Sequence, residues 1–166
     1  MARTAALLLC LLLVIGCDTG ERISRLEKQT ADLKAEVDRD QAARDFDLQA
    51  KCAKDARVWF IENWQRDKDT LFLDYEDHYS KSLSSCFIDV ELHTQEDTGK
   101  TGNDAWNNDI SLWNVYENSK YGQFFEDHFT DFKHPPTDNV TECDVAQQKC
   151  TSPAQFNSLA SRYMAN

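Results

Sequence analysis

The sequence predicts an α+β protein, with a long N-terminal helical stalk followed by a small antiparallel sheet of about three strands that packs with helices and carries two disulfides. All four Trp, five Tyr and nine Phe residues lie at Phe46 or later, so the preceding segment can contribute little to a globular core. Beyond Phe46, alternating apolar segments are separated by turns rather than by helices. That order is typical of an antiparallel sheet with its helices outside it.

The segment from Glu21 to Asp47 contains no Gly or Pro and is rich in good helix formers, which predicts the stalk. Its apolar residues follow a heptad pattern, with Thr30 at an intervening a position. The members of this seam are Ile23, Leu26, Leu33 and Val37. Polar residues take the following seam positions, namely Asp40, Arg44 and Asp47. Two interpretations remain open: a single solvated helix, or a short, weak parallel homo-oligomer through residues 21–40.

A second helix pattern covers Asp45 to about Gln65 and is expected to continue the stalk. Its apolar stripe should face the core; the stripe consists of Phe46, Ala50, Ala53, Phe60 and Trp64. A flanking row on the same helix consists of Cys52, Ala56 and Trp59. The segment from Leu71 to Ser82 is predicted as a short helix, with an extended 71–73 as the alternative.

Strands are predicted at Ser85–Thr94, Asp109–Glu117 and Tyr121–Phe125, where apolar and polar residues alternate or β-formers cluster. The first of these should be half-buried, with Ile88, Val90 and Leu92 on its inner side. Residues 118–120 have hairpin character, and the region around residues 135–139 is expected to be irregular. Near the C-terminus, Ser152 and Pro153 predict an N-cap and first helical residue. The apolar stripe of this last helix comprises Phe156, Leu159, Ala160 and Tyr163.

The N-terminus has a short apolar run, Ala5–Ile15, behind Arg3. It is too short to span a bilayer but normal for a signal peptide. The run ends in Val14-Ile15-Gly16-Cys17, which resembles the lipobox of bacterial lipoproteins. The resemblance implies cleavage before Cys17, a diacylglyceryl group on its thiol, and a membrane-anchored protein.

The resemblance and the boundary in aromatic content at Phe46 together predict three parts of the chain: a cleaved signal peptide at 1–16, a lipid anchor and stalk at 17–45, and a disulfide-bonded domain at 46–166. The domain would face the periplasm or the exterior of a bacterial cell. Asp18 resembles a signal for retention at the inner membrane. The alternatives are an ordinary secretory signal cut after Gly16 or Gly20, and an uncleaved anchor.

The chain is acidic, with 18 Lys+Arg against 29 Asp+Glu and a net charge of −11. That balance argues against binding to nucleic acid, whose affinity comes largely from Lys and Arg on phosphates. It also argues against electrostatic docking on anionic lipid. An acidic surface is suited to basic partners or divalent cations, although the usual meaning of such a balance is simply a solvated surface.

Four cysteines remain once Cys10 is cleaved off and Cys17 carries lipid. An even number in an exported chain predicts two disulfides. Three connectivities are possible, and the favoured one joins Cys52 to Cys86, a helix to a strand, and Cys143 to Cys150 across a short loop. A metal site is the competing interpretation, but no Cys-x-x-Cys spacing supports it.

Motifs for catalysis or metal binding are weak, and no cofactor is expected. The segment from Gln95 to Asn108 is rich in calcium-type oxygen ligands but lacks the EF-hand spacing, so a solvated hairpin loop is favoured. None of the four histidines has a zinc-binding spacing; they are His78, His93, His128 and His134. An acidic cluster on the predicted short helix is interpreted as a solvated face; it comprises Asp74, Glu76, Asp77 and His78. Trp106, in the polar loop, is the one indole expected to be exposed and able to bind a sugar.

The function expected from these observations is a non-catalytic binding or scaffold module in the cell envelope, held to the membrane through Cys17. Its partner would be an envelope protein or peptidoglycan. The alternatives are an envelope hydrolase and an inhibitor-type module that binds a basic protein such as a lysozyme.

Overall fold

A computed structural model describes the backbone of residues 2–96, 104–130 and 137–165, and the side chains of residues 20–95, 105–130 and 137–165. The chain forms two compact units, Met1–Phe46 and Asp47–Asn166. The first helix, α1, is Ala2–Asn63. Within the described part of the chain, no helix combines the length and the hydropathy that a membrane span requires.

The second unit contains one antiparallel sheet in which each strand pairs with the next along the chain, in the order β1-β2-β3-β4-β5-β6. The strands are β1 Thr70–Ser80, β2 Ser85–Glu96, β3 Asp104–Asn114, β4 Ser119–Thr130, β5 Thr137–Val145 and β6 Gln148–Lys149, and the last helix is α2 Pro153–Met164. The mixed α+β class and the two disulfides are therefore confirmed. The predicted number of strands is wrong, because the sheet has six strands rather than three.

The short helix predicted for Leu71–Ser82 is also wrong, since this segment is β1. Leu73 pairs with Leu92, Tyr75 with Val90 and Tyr79 with Cys86, so every second residue of β1 lies on one apolar face of the sheet. A strand whose second face is open carries polar residues there, and these obscured the alternation in the sequence.

Of the region predicted as irregular, residues 137–139 belong to β5, which forms a hairpin with β6, and residues 135 and 136 lie outside the described residues. The two-residue connection of this hairpin, Ala146 and Gln147, has φ values of 46° and 70°, the left-handed conformation that tight hairpin turns use. The predicted loop from Gln95 to Asn108 is likewise shorter than expected, because β2 and β3 extend into it. Residues 97–103 of that loop lie outside the described residues.

Side chains of α1 pack on one face of the sheet. Cys52, Ala56 and Trp59 are buried there with residues of β1 and β2, and the Cys52–Cys86 disulfide joins the helix to β2. The stripe predicted to face the core is therefore partly wrong: Phe46 is 74% exposed and Ala50 is exposed. A helix on a sheet buries only one narrow face, and here that face is the row containing Cys52.

The opposite face of the sheet packs against α2. Phe87, Leu112 and Phe124 are buried under Phe156 and other residues of the helix. Phe87 is only 1% exposed, so β2 is buried on both faces over this stretch, although it was predicted to be half-buried. At one point the helix approaches β4 closely.

That close approach is at Gly122, where a Cβ atom would lie 3.2 Å from the Phe156 ring and 2.8 Å from the Asp144 carbonyl oxygen. The start of α2 is as predicted, with the Ser152 hydroxyl accepting a hydrogen bond from the Gln155 backbone N–H. The second disulfide, Cys143–Cys150, closes the β5–β6 hairpin. Both disulfides have the connectivity that the sequence favoured.

Candidate functional site

Helix α2 covers only one end of its face of the sheet, and the other end is lined by charged and aromatic side chains. Cross-strand pairing places them side by side: Asp89 opposite Glu76, Glu91 opposite Asp74, and His128 opposite Trp106. We call this surface the acidic–aromatic face. Its members are Phe72, Asp74, Glu76, Asp89, Glu91, His93, Trp106, Asn108, Glu126 and His128.

Four rings cross the sheet in a ladder, one from each of β1 to β4. The Phe72 and His93 centroids lie 5.4 Å apart, and those of His93 and Trp106 lie 5.8 Å apart. Trp106 and His128 are stacked, with centroids 3.5 Å apart and planes inclined by 13°. Tight cross-strand ring pairs of this kind stabilise a sheet and hold the rings in place.

Each histidine in the ladder is hydrogen-bonded to a carboxylate. The distance from Nε2 of His93 to the Glu91 carboxylate is 2.9 Å. His128 contacts two carboxylates, Asp138 through Nδ1 at 2.6 Å and Glu126 through Nε2 at 3.1 Å. Both ring nitrogens of His128 therefore lie within hydrogen-bond distance of a carboxylate oxygen. The ladder is thus oriented by acidic groups on both sides of its rings.

A cavity of about 570 Å³ lies between α2 and the strands β1 to β3, and Phe72 is the ladder ring that lines it. Its sheet wall carries four carboxylates, and its helix wall combines apolar side chains such as Ala160 and Met164 with the polar side chains of Asn157 and Ser161. The carboxylates are those of Asp74, Glu76, Asp89 and Glu91. Among the described residues, no Lys or Arg lines the cavity. Its negative charge is therefore not neutralised from within.

Asp89 is the most perturbed group in this wall. Burial, reinforced by the negative charges of Glu76 and Glu91, raises the pKa of its carboxyl from 3.8 to about 7. Its Oδ1 atom is buried and has no hydrogen-bond partner among the described residues. At neutral pH this group therefore exchanges readily between its neutral and charged forms.

The chemistry of this face suits a positively charged organic group. Clustered carboxylates supply hydrogen-bond acceptors, and aromatic ring faces attract cations. The described residues contain no cluster of three or more His, Cys, Asp or Glu side chains placed to hold a metal ion.

Some residues that the sequence analysis considered as candidates belong to this site, but the secondary structure predicted for them was different. Asp74 and Glu76 lie on a strand, so they share one face, rather than forming the solvated side of a helix. Asp77, from the same predicted cluster, lies on the α1 face, where the Gln49 amide donates a hydrogen bond to it at 3.2 Å.

Trp106 lies on β3 rather than in a polar loop, and it is partly buried instead of exposed. His128 covers one face of its indole ring, which leaves a poor platform for a sugar. The side chains of Cys17 and His134 lie outside the described residues. The sequence did not predict Asp89 or Glu126 as site residues. The only signal for Asp89 was its position between Ile88 and Val90, which places it on the other face of β2.

Comparison of this chain with protein-family models, with curated proteins and with solved structures gave no match.

Proposed function

We propose that this protein is a lipid-anchored, non-catalytic binding module of the bacterial cell envelope. It is held to the membrane through Cys17 and binds a basic partner protein on its acidic–aromatic face. The anchor is supported by the resemblance of residues 14–17 to a lipobox. The partner class is supported by the cavity, in which four carboxylates lie together and no Lys or Arg of the described part of the chain forms the lining.

Like charges placed side by side cost free energy, and a basic partner removes that cost when it binds. Burial on binding strengthens each hydrogen bond between a cation and a carboxylate, because the local dielectric falls. The apolar wall from Ala160 and Met164 accommodates the methylene stem of a Lys or Arg side chain. A protein partner fits this surface better than a polysaccharide does, since the Trp106 ring is already stacked on His128.

The test is capture of partners from detergent-solubilised membranes by the full chain, compared with two charge-matched variants. The site variant is Asp74→Asn with Glu76→Gln, and both residues are exposed on β1. The control is Asp47→Asn with Glu62→Gln, two exposed residues on α1. We expect the wild type and the control to retain a basic protein that the site variant loses by a factor of ten or more.

Capture should also weaken as salt rises from about 0.05 to 0.3 M, because the contacts are charged. Equal capture by the site variant, or an acidic partner, would contradict the proposed binding face. Purified lysozyme serves as a defined basic probe for the inhibitor form of the same function. The wild type and the control should bind it with similar affinity, and the site variant should bind it more weakly.

A hydrolase is the second candidate, and the raised pKa of Asp89 is the observation that favours it. A carboxyl that keeps its proton near neutral pH can act as a general acid. In that case Asp89→Asn would abolish release of soluble fragments from purified peptidoglycan. Under the binding proposal, neither the wild type nor this variant releases fragments.

A further inference from the structure

The helical segment between residues 21 and 40 leaves a stripe of large apolar side chains in solvent. Ile23, Leu26, Leu33 and Val37 are 57%, 62%, 62% and 64% exposed. Isolated surface apolar residues are ordinary, but these four recur at the a and d positions of a heptad. A stripe with that spacing is self-complementary, so a second copy of the same helix can cover it.

Thr30, the one polar residue within this stripe, does not interrupt it chemically. Its hydroxyl donates a hydrogen bond to the Leu26 carbonyl of its own helix, at 2.8 Å. The polar group is therefore satisfied without water or a partner, and the methyl group remains for packing. The apolar surface thus extends unbroken from Ile23 to Val37.

The charges beside the stripe are compatible with two parallel helices. In a parallel pair, each g position faces the next e position of the partner. These pairs are Arg22 with Glu27, Gln29 with Lys34, and Glu36 with Gln41. The first is attractive and none brings like charges together.

We propose that residues 23–37 form a parallel two-stranded coiled coil with a second copy of this chain at the membrane surface. The inference rests on the lipid anchor of the proposed function. Fifteen residues at 1.5 Å each make a seam of only about 22 Å, which is too short to be stable alone. Anchoring holds both copies in the same orientation and at a high effective concentration. The pairing ends where Asp40 takes the next seam position.

A paired stalk also gives each assembly two acidic–aromatic faces. A basic partner with two binding sites, or a surface of many partners, would then be held by both at once. Avidity of this kind strengthens binding without any new contact.

The experiment compares Leu33→Cys with Ala35→Cys in the full chain, using membranes from cells that express it and a short bismaleimide cross-linker. Residue 33 lies on the seam, where parallel pairing brings its two copies together, and residue 35 lies on the outer side. We expect at least ten-fold more covalent dimer from Leu33→Cys. Adding Leu26→Asp should remove this product, whereas adding Ala31→Asp, off the seam, should leave it.

Fractionation of the same cells separates this inference from the proposed anchor. Membrane-bound chain without cross-linking at residue 33, or with equal yields at 33 and 35, overturns the coiled coil and leaves the binding module intact. Chain found only in the soluble fraction overturns the anchor. Cross-linking at residue 33 in that soluble chain would still support the pairing, and its absence would overturn both.

Discussion

At the scale of single residues, Asp89 is the member of the acidic–aromatic face whose ionisation costs the folded protein most. Strand pairing places it next to Glu76 and in a mostly buried position on β2, so its charged form is disfavoured twice. A folded protein tolerates such a group most readily where a ligand compensates it. Asp89 is therefore the natural point at which to test the electrostatics of the site.

The pKa of Asp89 makes stability depend on pH. Because the folded-state pKa, about 7, lies above the ordinary value of 3.8, the folded chain binds the extra proton between these values. Its contribution to stability is complete below about pH 4 and is lost as the pH rises through 7. With 1.36 kcal/mol per pKa unit, about 3 kcal/mol should be lost between pH 5 and pH 8. Urea unfolding at these two pH values measures the loss.

In the Asp89→Asn variant, the larger part of this pH dependence should disappear, since the amide does not titrate. Asp109→Asn is the matched control, because burial also raises the pKa of Asp109, although less. The control should keep most of the dependence. If the free energy of unfolding of Asp89→Asn changes with pH as much as that of the wild type, the pKa of Asp89 is not raised in the folded state.

At the scale of elements, the two disulfides close loops of very different length. Cys52 and Cys86 are 34 residues apart, whereas Cys143 and Cys150 are 7 apart. In the chain-entropy description, the stabilisation grows with the logarithm of loop length. Replacing both members of the first pair by Ala should cost about 4 kcal/mol, and replacing both members of the second about 2.5 kcal/mol.

Urea unfolding of the two double variants at one pH gives both losses. We expect the larger loss for the pair that joins α1 to β2. Equal losses, or the opposite order, would mean that the bridges act through local packing in the folded state rather than through the unfolded chain.

The elements that the sequence predicts well are those whose apolar pattern is visible along the chain. The apolar residues of β2 alternate and those of α2 recur with the helical period. The predicted limits of both elements agree with the structure to within a few residues. β1 was missed because its open face carries Asp74, Glu76 and His78, so that only Leu73, Tyr75 and Tyr79 mark the strand. A run of charged residues resembles a solvated helix when the pairing that orders it is unknown.

The site was harder to predict than the fold for a related reason. Trp106 and His128 are stacked, yet 22 positions of sequence separate them, and only the register of β3 with β4 brings them together. Each of the strands β1 to β4 contributes one ring and at most two carboxylates to this face, too few to suggest a site by itself. The disulfide pairing could be predicted because it depends on loop length and the type of element, not on register.

At the scale of the whole molecule, charge and anchoring have to be considered together. A net charge of −11 is repelled by an anionic bilayer, so the protein body itself supplies no affinity for such a membrane. Within the proposed function, the lipid on Cys17 must provide the attachment. The same acidity then increases the rate at which a basic partner is encountered.

The anchor leads to a direct prediction that uses the two N-terminal cysteines as a matched pair. Cys17→Ala should move the protein from the membrane to the soluble fraction, because two or more acyl chains hold a protein firmly and none remain. Cys10→Ala should leave it membrane-bound, since Leu9 before it departs from the small residue of a lipobox. Detergent phase partitioning measures the distribution, and the mass of the mature N-terminal peptide identifies the modified residue. Retention of the Cys17→Ala chain in the membrane, or equal effects of the two substitutions, would exclude lipid on Cys17 as the attachment.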